Sequence, residues 1–194
     1  MTNDQARRRA RRFLLGGRAG LRAAAAVLCL CAASRVGGQP VADEYRLKAA
    51  FVLRFPQFVE WPTAALDGEG TFDLCVLDPD PFGPALSELA SGEALGTRPM
   101  AVRRVRAADA FDGCHVLYIP SRVSRRPAIL QRLTMRPILT ISDAPGFLDD
   151  GGIVQLRLVG NRVRFDVSTA AAGRAGLRIS AQLLRLAGSV RSGP

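Results

Sequence analysis

The run Gly151 to Ala187, GGIVQLRLVGNRVRFDVSTAAAGRAGLRISAQLLRLA, restricts the fold more than any other stretch of the chain. In it Val154, Leu156 and Leu158 alternate with Gln155, Arg157 and Val159. After Gly160-Asn161, Arg162, Arg164 and Asp166 alternate with Val163, Phe165 and Val167. A period of two on both sides of a two-residue Gly-Asn link predicts a β-hairpin. With glycine first, the link suits a type II′ turn, because glycine takes the required positive φ without a Cβ clash. Pairing Val159 with Arg162 sets Leu158 against Val163 and Leu156 against Phe165, so the apolar faces coincide. The same register sets Arg157 opposite Arg164. Like charges so placed repel unless an acid, an anion or solvent relieves them, and Asp166 is a candidate acid. The plain reading is a wet outer sheet face; the functional one is an anion or partner contact.

Beyond the hairpin the period changes. Ser168 or Thr169 can cap a helix, and Leu177, Ala181 and Leu184 then fall at i, i+4 and i+7. Arg174, Arg178, Gln182 and Arg185 form the opposite stripe. Gly173 and Gly176 weaken the first turns, so the regular helix is expected from near Ala175. The basic stripe reads as a solvated face, with lipid or partner contact through Arg174 and Arg178 as the alternative.

Upstream, Leu47, Ala50, Phe51, Phe55 and Phe58 recur largely at spacings of three and four. They predict a helix from Glu44 towards Trp61, which Pro56 kinks or restarts. Phe55, Phe58 and Trp61 make an aromatic corner expected to pack in the core, and residues 34–43 are expected to be a loose terminus. Four strands are predicted at Thr71–Leu77, Ala101–Val105, His115–Ile119 and Pro137–Ser142. Helical segments at Phe82–Leu89 and Arg126–Leu133 separate them. This order predicts a single α/β domain over 44–190: a mixed, mostly parallel sheet flanked by helices, with the C-terminal hairpin as an antiparallel edge.

The formal charge of +10 suggests nucleic acid until its distribution is considered. Seven arginines and one acid precede Ala33, so the leader carries most of that charge. An arginine-rich start followed by the apolar run Ala23 to Ala33 resembles a secretory signal, with cleavage anywhere from 33 to 42. The apolar run is too short to span a bilayer as a conventional helix. Neither Cys29 nor Cys31 follows the small residue that lipoprotein processing requires, so no lipid anchor is expected. The chain after cleavage has scattered arginines and no aromatic platform among them, which argues against nucleic acid. It keeps two cysteines, Cys75 and Cys114, which in an oxidising compartment can form one disulfide; buried free thiols are the alternative.

Candidate chemistry is sparse. Asp78, Asp80 and Asp143 follow strands, where ligands of α/β sheets bind, and could hold a cation or serve phosphoryl transfer. Asp-Pro and Ser-Asp pairs also end strands simply as turns. The one histidine, His115, adjoins Cys114 on a strand, so the two side chains point to opposite faces and make a poor nucleophilic pair. Ser121, Ser142 and Ser168 lack a nucleophile-elbow setting, and the glycine clusters lack a phosphate-binding frame. No metal site, cofactor or catalytic residue is expected.

Six motifs in order carry a resemblance: Lys48-Ala-Ala-Phe-Val-Leu-Arg-Phe-Pro-Gln-Phe-Val-Glu-Trp-Pro62, Phe72 to Gly83, Cys114-His-Val-Leu-Tyr-Ile119, Leu139-Thr-Ile-Ser-Asp143, Gly151-Gly152 and Arg164 to Ala187. Together they resemble the YfiR family of exported proteins. The resemblance implies a periplasmic negative regulator that acts on an inner-membrane diguanylate cyclase, and so on cyclic di-GMP and biofilm formation, without making or degrading the nucleotide. It also implies that Cys75 and Cys114 form a family disulfide joining the first core strand to a later one. Two positions depart from the family pattern. Asp143 to Gly152 contains no second cysteine pair, and Ser168 stands where the family tends to have Asn, although both can cap a helix. The rival reading is a periplasmic small-ligand or anion sensor, or an enzyme using the strand-end aspartates. A homodimer is left open.

Overall fold

A computed structural model describes residues 39–67 and 70–193; the leader, with the predicted signal and its cysteines, lies outside the described residues. Helix α1 spans Gln39–Arg54 and gives way at Pro56 to a 3-10 turn, Phe55–Phe58, then to a short strand β1, Val59–Glu60. The helix therefore starts inside the segment expected to be loose. Its buried face is also rotated from the predicted one: Ala49, Val52 and Leu53 are buried, whereas Leu47 is exposed. Burial follows what the sheet offers, and Phe55 reaches it at the start of the turn.

The other elements are β2 (Phe72–Leu77), α2 (Ala85–Ala90), β3 (Ala94–Leu95), β4 (Arg98–Val105), β5 (Cys114–Ile119), α3 (Arg126–Leu133), β6 (Leu139–Ser142), β7 (Val154–Val159), β8 (Arg162–Ser168), α4 (Thr169–Arg174), β9 (Arg178–Ile179), α5 (Ala181–Leu186) and β10 (Ser189–Arg191). The main sheet has the order β10-β8-β7-β6-β5-β2-β4-β3. Strands β4, β2, β5, β6 and β7 are mutually parallel, while β8 runs antiparallel to β7. The sheet is thus mixed and mostly parallel, with helices flanking it.

Burial on both faces explains why β2 and β5 read as nearly unbroken apolar runs. Phe72, Leu74, Val76, Val116 and Tyr118 enter one core with α1, α2 and α4. Cys75, Leu77, Leu117 and Ile119 enter a second core, with Ile129, Leu130 and Leu133 of α3 and the loop residues Phe147 and Leu148.

The hairpin has the predicted register, Val159 with Arg162, Leu158 with Val163, Arg157 with Arg164 and Leu156 with Phe165. Its turn is different. Gly160 (φ 51°) and Asn161 (φ 58°) are both left-handed, which is the type I′ arrangement, not type II′. Asn tolerates that conformation better than most residues, and the turn's twist then matches the strands. Nor is the hairpin the edge of the sheet, because β10 pairs parallel with β8 through Ser189, Val190 and Arg191.

The predicted helix from Ala175 is replaced by three elements. Ser168 Oγ accepts from Ala171 N–H at 3.1 Å and starts α4, so serine fills the capping role at this position. The helix stops before Gly176, whose φ is 72°. Arg178 and Ile179 then pair with Glu60 and Val59 of β1, and Ser180 caps α5. Arg174 and Arg178 consequently belong to different elements and share no helical stripe.

Candidate functional site

Strand β6 ends at Ser142, and its register with β7 stops at Ser142 with Gln155. β7 continues to Val159. An open cleft of about 490 Å³ occupies the space beyond β6, at the carboxyl ends of the parallel strands. One wall is the end of β7, Gln155 to Val159, which overhangs β6 from Leu156 on; the opposite wall is α1, with Glu44, Tyr45 and Lys48, and the floor carries Ser121 and Asp143.

Asp143 is the hub of the floor. Its Oδ2 accepts from Lys48 Nζ at 2.7 Å and from Tyr45 hydroxyl at 2.8 Å, and its Oδ1 accepts from Ser121 N–H at 3.0 Å. Glu44 Oε1 lies 2.5 Å from Lys48 Nζ, one helical turn away. Burial disfavours the charge on Asp143, but the hydrogen bond and charge of Lys48, helped by Tyr45, outweigh it and hold the carboxyl below its usual range. Burial also opposes the charge on Lys48, yet Asp143 and Glu44 raise its pKa. Tyr118 is fully buried, and its hydroxyl has no hydrogen-bond partner among the described residues. Burial first, then the nearby Asp143 charge, pushes that hydroxyl's pKa up.

By local pattern alone Lys48 is an ordinary polar position of a helix. A signal was present, because Lys48 falls on the stripe of Tyr45, Ala49 and Val52, where a bare ammonium could not be buried without an acid.

The other strand-end acids serve different ends. Asp80 accepts from Phe82 N–H at 2.7 Å and from Arg104 Nε at 2.8 Å, closing the turn after β2. Among the described residues no group of three or more His, Cys, Asp or Glu side chains could hold a metal. Ser142 Oγ accepts from Ala144 N–H, a turn contact. His115 Nδ1 accepts from Asp73 N–H at 3.0 Å, and its ring stacks on Phe72. Burial lowers its pKa, so the neutral ring is favoured.

Cys75 and Cys114 are joined by a disulfide between β2 and β5. Cys114 is therefore no nucleophile. Arg103 of β4 lies beside both sulfurs, 3.6 Å from Cys75 Sγ and 3.5 Å from Cys114 Sγ, while its Nε pairs with Asp73 at 2.7 Å.

Arg157 donates to both oxygens of Asp166, at 2.5 Å from Nε and 2.9 Å from the terminal nitrogen. Asp166 thus supplies the relief that the register requires. Burial works against its charge, but Arg157 and then Ser189 hold its carboxyl below the usual range. Arg164, across the ladder, is exposed and has no ion-pair partner among the described residues. Arg178 pairs with Glu60 at 3.2 Å in the open, and Arg174 stands at the rim of a separate cavity of about 270 Å³ between α3 and α4. The four arginines do not converge on one point.

The aromatic corner also divides. Phe55 packs with Phe51 and Phe165, at 5.9 and 5.1 Å between ring centroids. Trp61 packs edge-on to Phe72 at 5.2 Å and donates to Pro137 carbonyl. Phe55 is buried, whereas Phe58 and Trp61 are half-buried.

Residues 45–188, the whole span from the cleft wall through the hairpin, match a YfiR/HmsC-like family. The chain belongs to that family. YfiR/HmsC-like proteins are non-catalytic regulators associated with cyclic di-GMP signalling. The chain is also similar to a solved structure of a conserved domain protein from Vibrio cholerae O1 biovar El Tor str. N16961, at 12% identity and a TM-score of 0.47. That match covers 76% of this chain and 60% of the length of the Vibrio chain.

Proposed function

We propose that the chain is an exported periplasmic protein that represses an inner-membrane diguanylate cyclase by binding the cyclase's periplasmic portion. The observation that carries this reading is family membership over residues 45–188. The secretory character of the arginine-rich leader and the two bonded cysteines support an oxidising destination. Binding, not chemistry, is the means: a partner that prefers one state of the cyclase shifts that enzyme's equilibrium by its differential affinity. Calorimetric titration of the exported chain with the periplasmic domain of the cyclase encoded beside it tests the pairing. Saturable binding at about micromolar concentration, roughly 8 kcal/mol, is the expected result. Absence of saturable binding overturns the pairing.

A further inference from the structure

We propose that the overhang of β7 is a docking edge for an extended, acidic segment of a protein partner, which adds as a strand in the place where β6 stops. The inference rests on the reading of the chain as a partner-binding regulator, and it names the surface and the chemistry of the contact.

The backbone supplies the first argument. Ser168 N–H donates to Ile153 carbonyl at 2.8 Å, and this fixes the phase of the β7–β8 ladder. In an antiparallel pair the bonded residues alternate, so Gln155, Arg157 and Val159 bond towards β8. The N–H and C=O of Leu158 then point the other way, into the cleft. β6 has already ended at Ser142, so no strand lies beside Leu158 on that side. An edge of this kind recruits another strand unless something covers or blunts it.

The side chains supply the second argument, because an added strand sends alternate residues to the two faces of the sheet. On the α1 face its neighbour is Leu158, which is 44% exposed and calls for an apolar residue. On the outer face its neighbours are Val159 and Arg157, with Arg162 and Arg164 one strand further on. Asp166 neutralises Arg157, but Arg162 and Arg164 are exposed and have no acid among the described residues. That face calls for carboxylates. The complementary occupant is therefore a short extended segment in which apolar and acidic residues alternate. A second copy paired edge to edge would bring the same arginines against their own images, which is unfavourable.

The test uses the exported chain, a fluorescent hexapeptide of alternating Glu and Val, and its Lys-Val counterpart. Fluorescence anisotropy is expected to show saturable binding of the Glu-Val peptide with Kd on the order of 100 µM or tighter. Binding of the Lys-Val peptide is expected to be at least about tenfold weaker. Leu158→Pro removes the N–H that faces the cleft without removing a bond to β8, and it is expected to weaken Glu-Val binding at least about tenfold. Arg164→Glu is expected to reverse the preference between the peptides, and it keeps the test valid if the proline variant does not fold. Hydrogen exchange at the Leu158 amide is expected to slow when the Glu-Val peptide is bound, which a purely electrostatic contact would not produce.

No binding by the wild type, equal binding of both peptides, or unchanged affinity in both variants overturns the proposal. So does a dimer in sizing experiments that Leu158→Pro abolishes. The cyclase domain separates this inference from the function it rests on. If that domain binds wild type and both variants equally, the docking edge falls and the regulatory reading stands. If the Glu-Val peptide binds as expected but the domain does not, the edge stands and that pairing falls.

Discussion

Lys48 Nζ lies 2.7 Å from Asp143 Oδ2, across 95 residues of chain, with the two side chains only 4% and 5% exposed. The pair ties the first helix to the end of β6 at the floor of the cleft. Removing one member leaves the other charge buried with a diminished set of partners, a loss of about 3–5 kcal/mol. Lys48→Met is expected to lower the urea midpoint accordingly. A Lys48→Met/Asp143→Leu variant is expected to lose less than the sum of its single changes, because it leaves neither charge stranded.

The same pair sets a pH window. A carboxyl whose pKa is lower in the folded state binds fewer protons there, so Asp143 and Asp166 lend their full stability above the unfolded value of about 4 and lose it as pH falls through the folded value. Lys48, raised on folding, lends stability that is full below about 10.5 and lost as pH rises through its folded value. Thermal midpoints are expected to be flat through neutral pH and to fall at both extremes. Asp143→Asn is expected to flatten part of the acid limb, which a series of melts from pH 2 to 7 would read.

Reduction of the Cys75–Cys114 bond opens a loop whose ends are 39 residues apart in sequence. The chain-entropy estimate for its loss is about 3–4 kcal/mol. Intact-mass analysis of the exported protein should show two hydrogens fewer than the reduced form, and chemical denaturation with and without reductant should show the corresponding shift. A free-thiol count of two in the exported chain contradicts the bond.

Gly152 is required by packing. A Cβ built there would run into the ring of Phe147, which is fully buried in the α3-side core. Gly152→Ala is expected to destabilise by about 1–3 kcal/mol or more. Adding Phe147→Leu should recover part of that loss, because it removes the colliding ring. Denaturant midpoints of the single and paired variants decide the matter.

The parts of the fold that were legible are those in which local pattern and tertiary demand agree. Alternation along 154–167 and the Gly-Asn link set the hairpin register, while the positive φ of Asn161 that makes the turn type I′ is one that Asn permits but does not require. The helical spacing of Leu177, Ala181 and Leu184 was real but was overridden. Gly176 takes φ 72°, and Arg178 and Ile179 find strand partners in Glu60 and Val59, more than 100 residues earlier. β10 is a three-residue strand, too short for a periodic signature. The candidate site is half legible: Asp143 reads as a strand-end acid, but its partners Lys48 and Tyr45 are nearly a hundred residues away and no local rule joins them.

The sheet that separates the two cores has a further consequence. The disulfide packs with α3 on one side, while the Lys48–Asp143 pair fastens α1 at the end of the other. Reductant and acid therefore attack opposite sides of a shared wall. Their effects on the free energy of unfolding should simply add, so the fold withstands either insult more readily than both together.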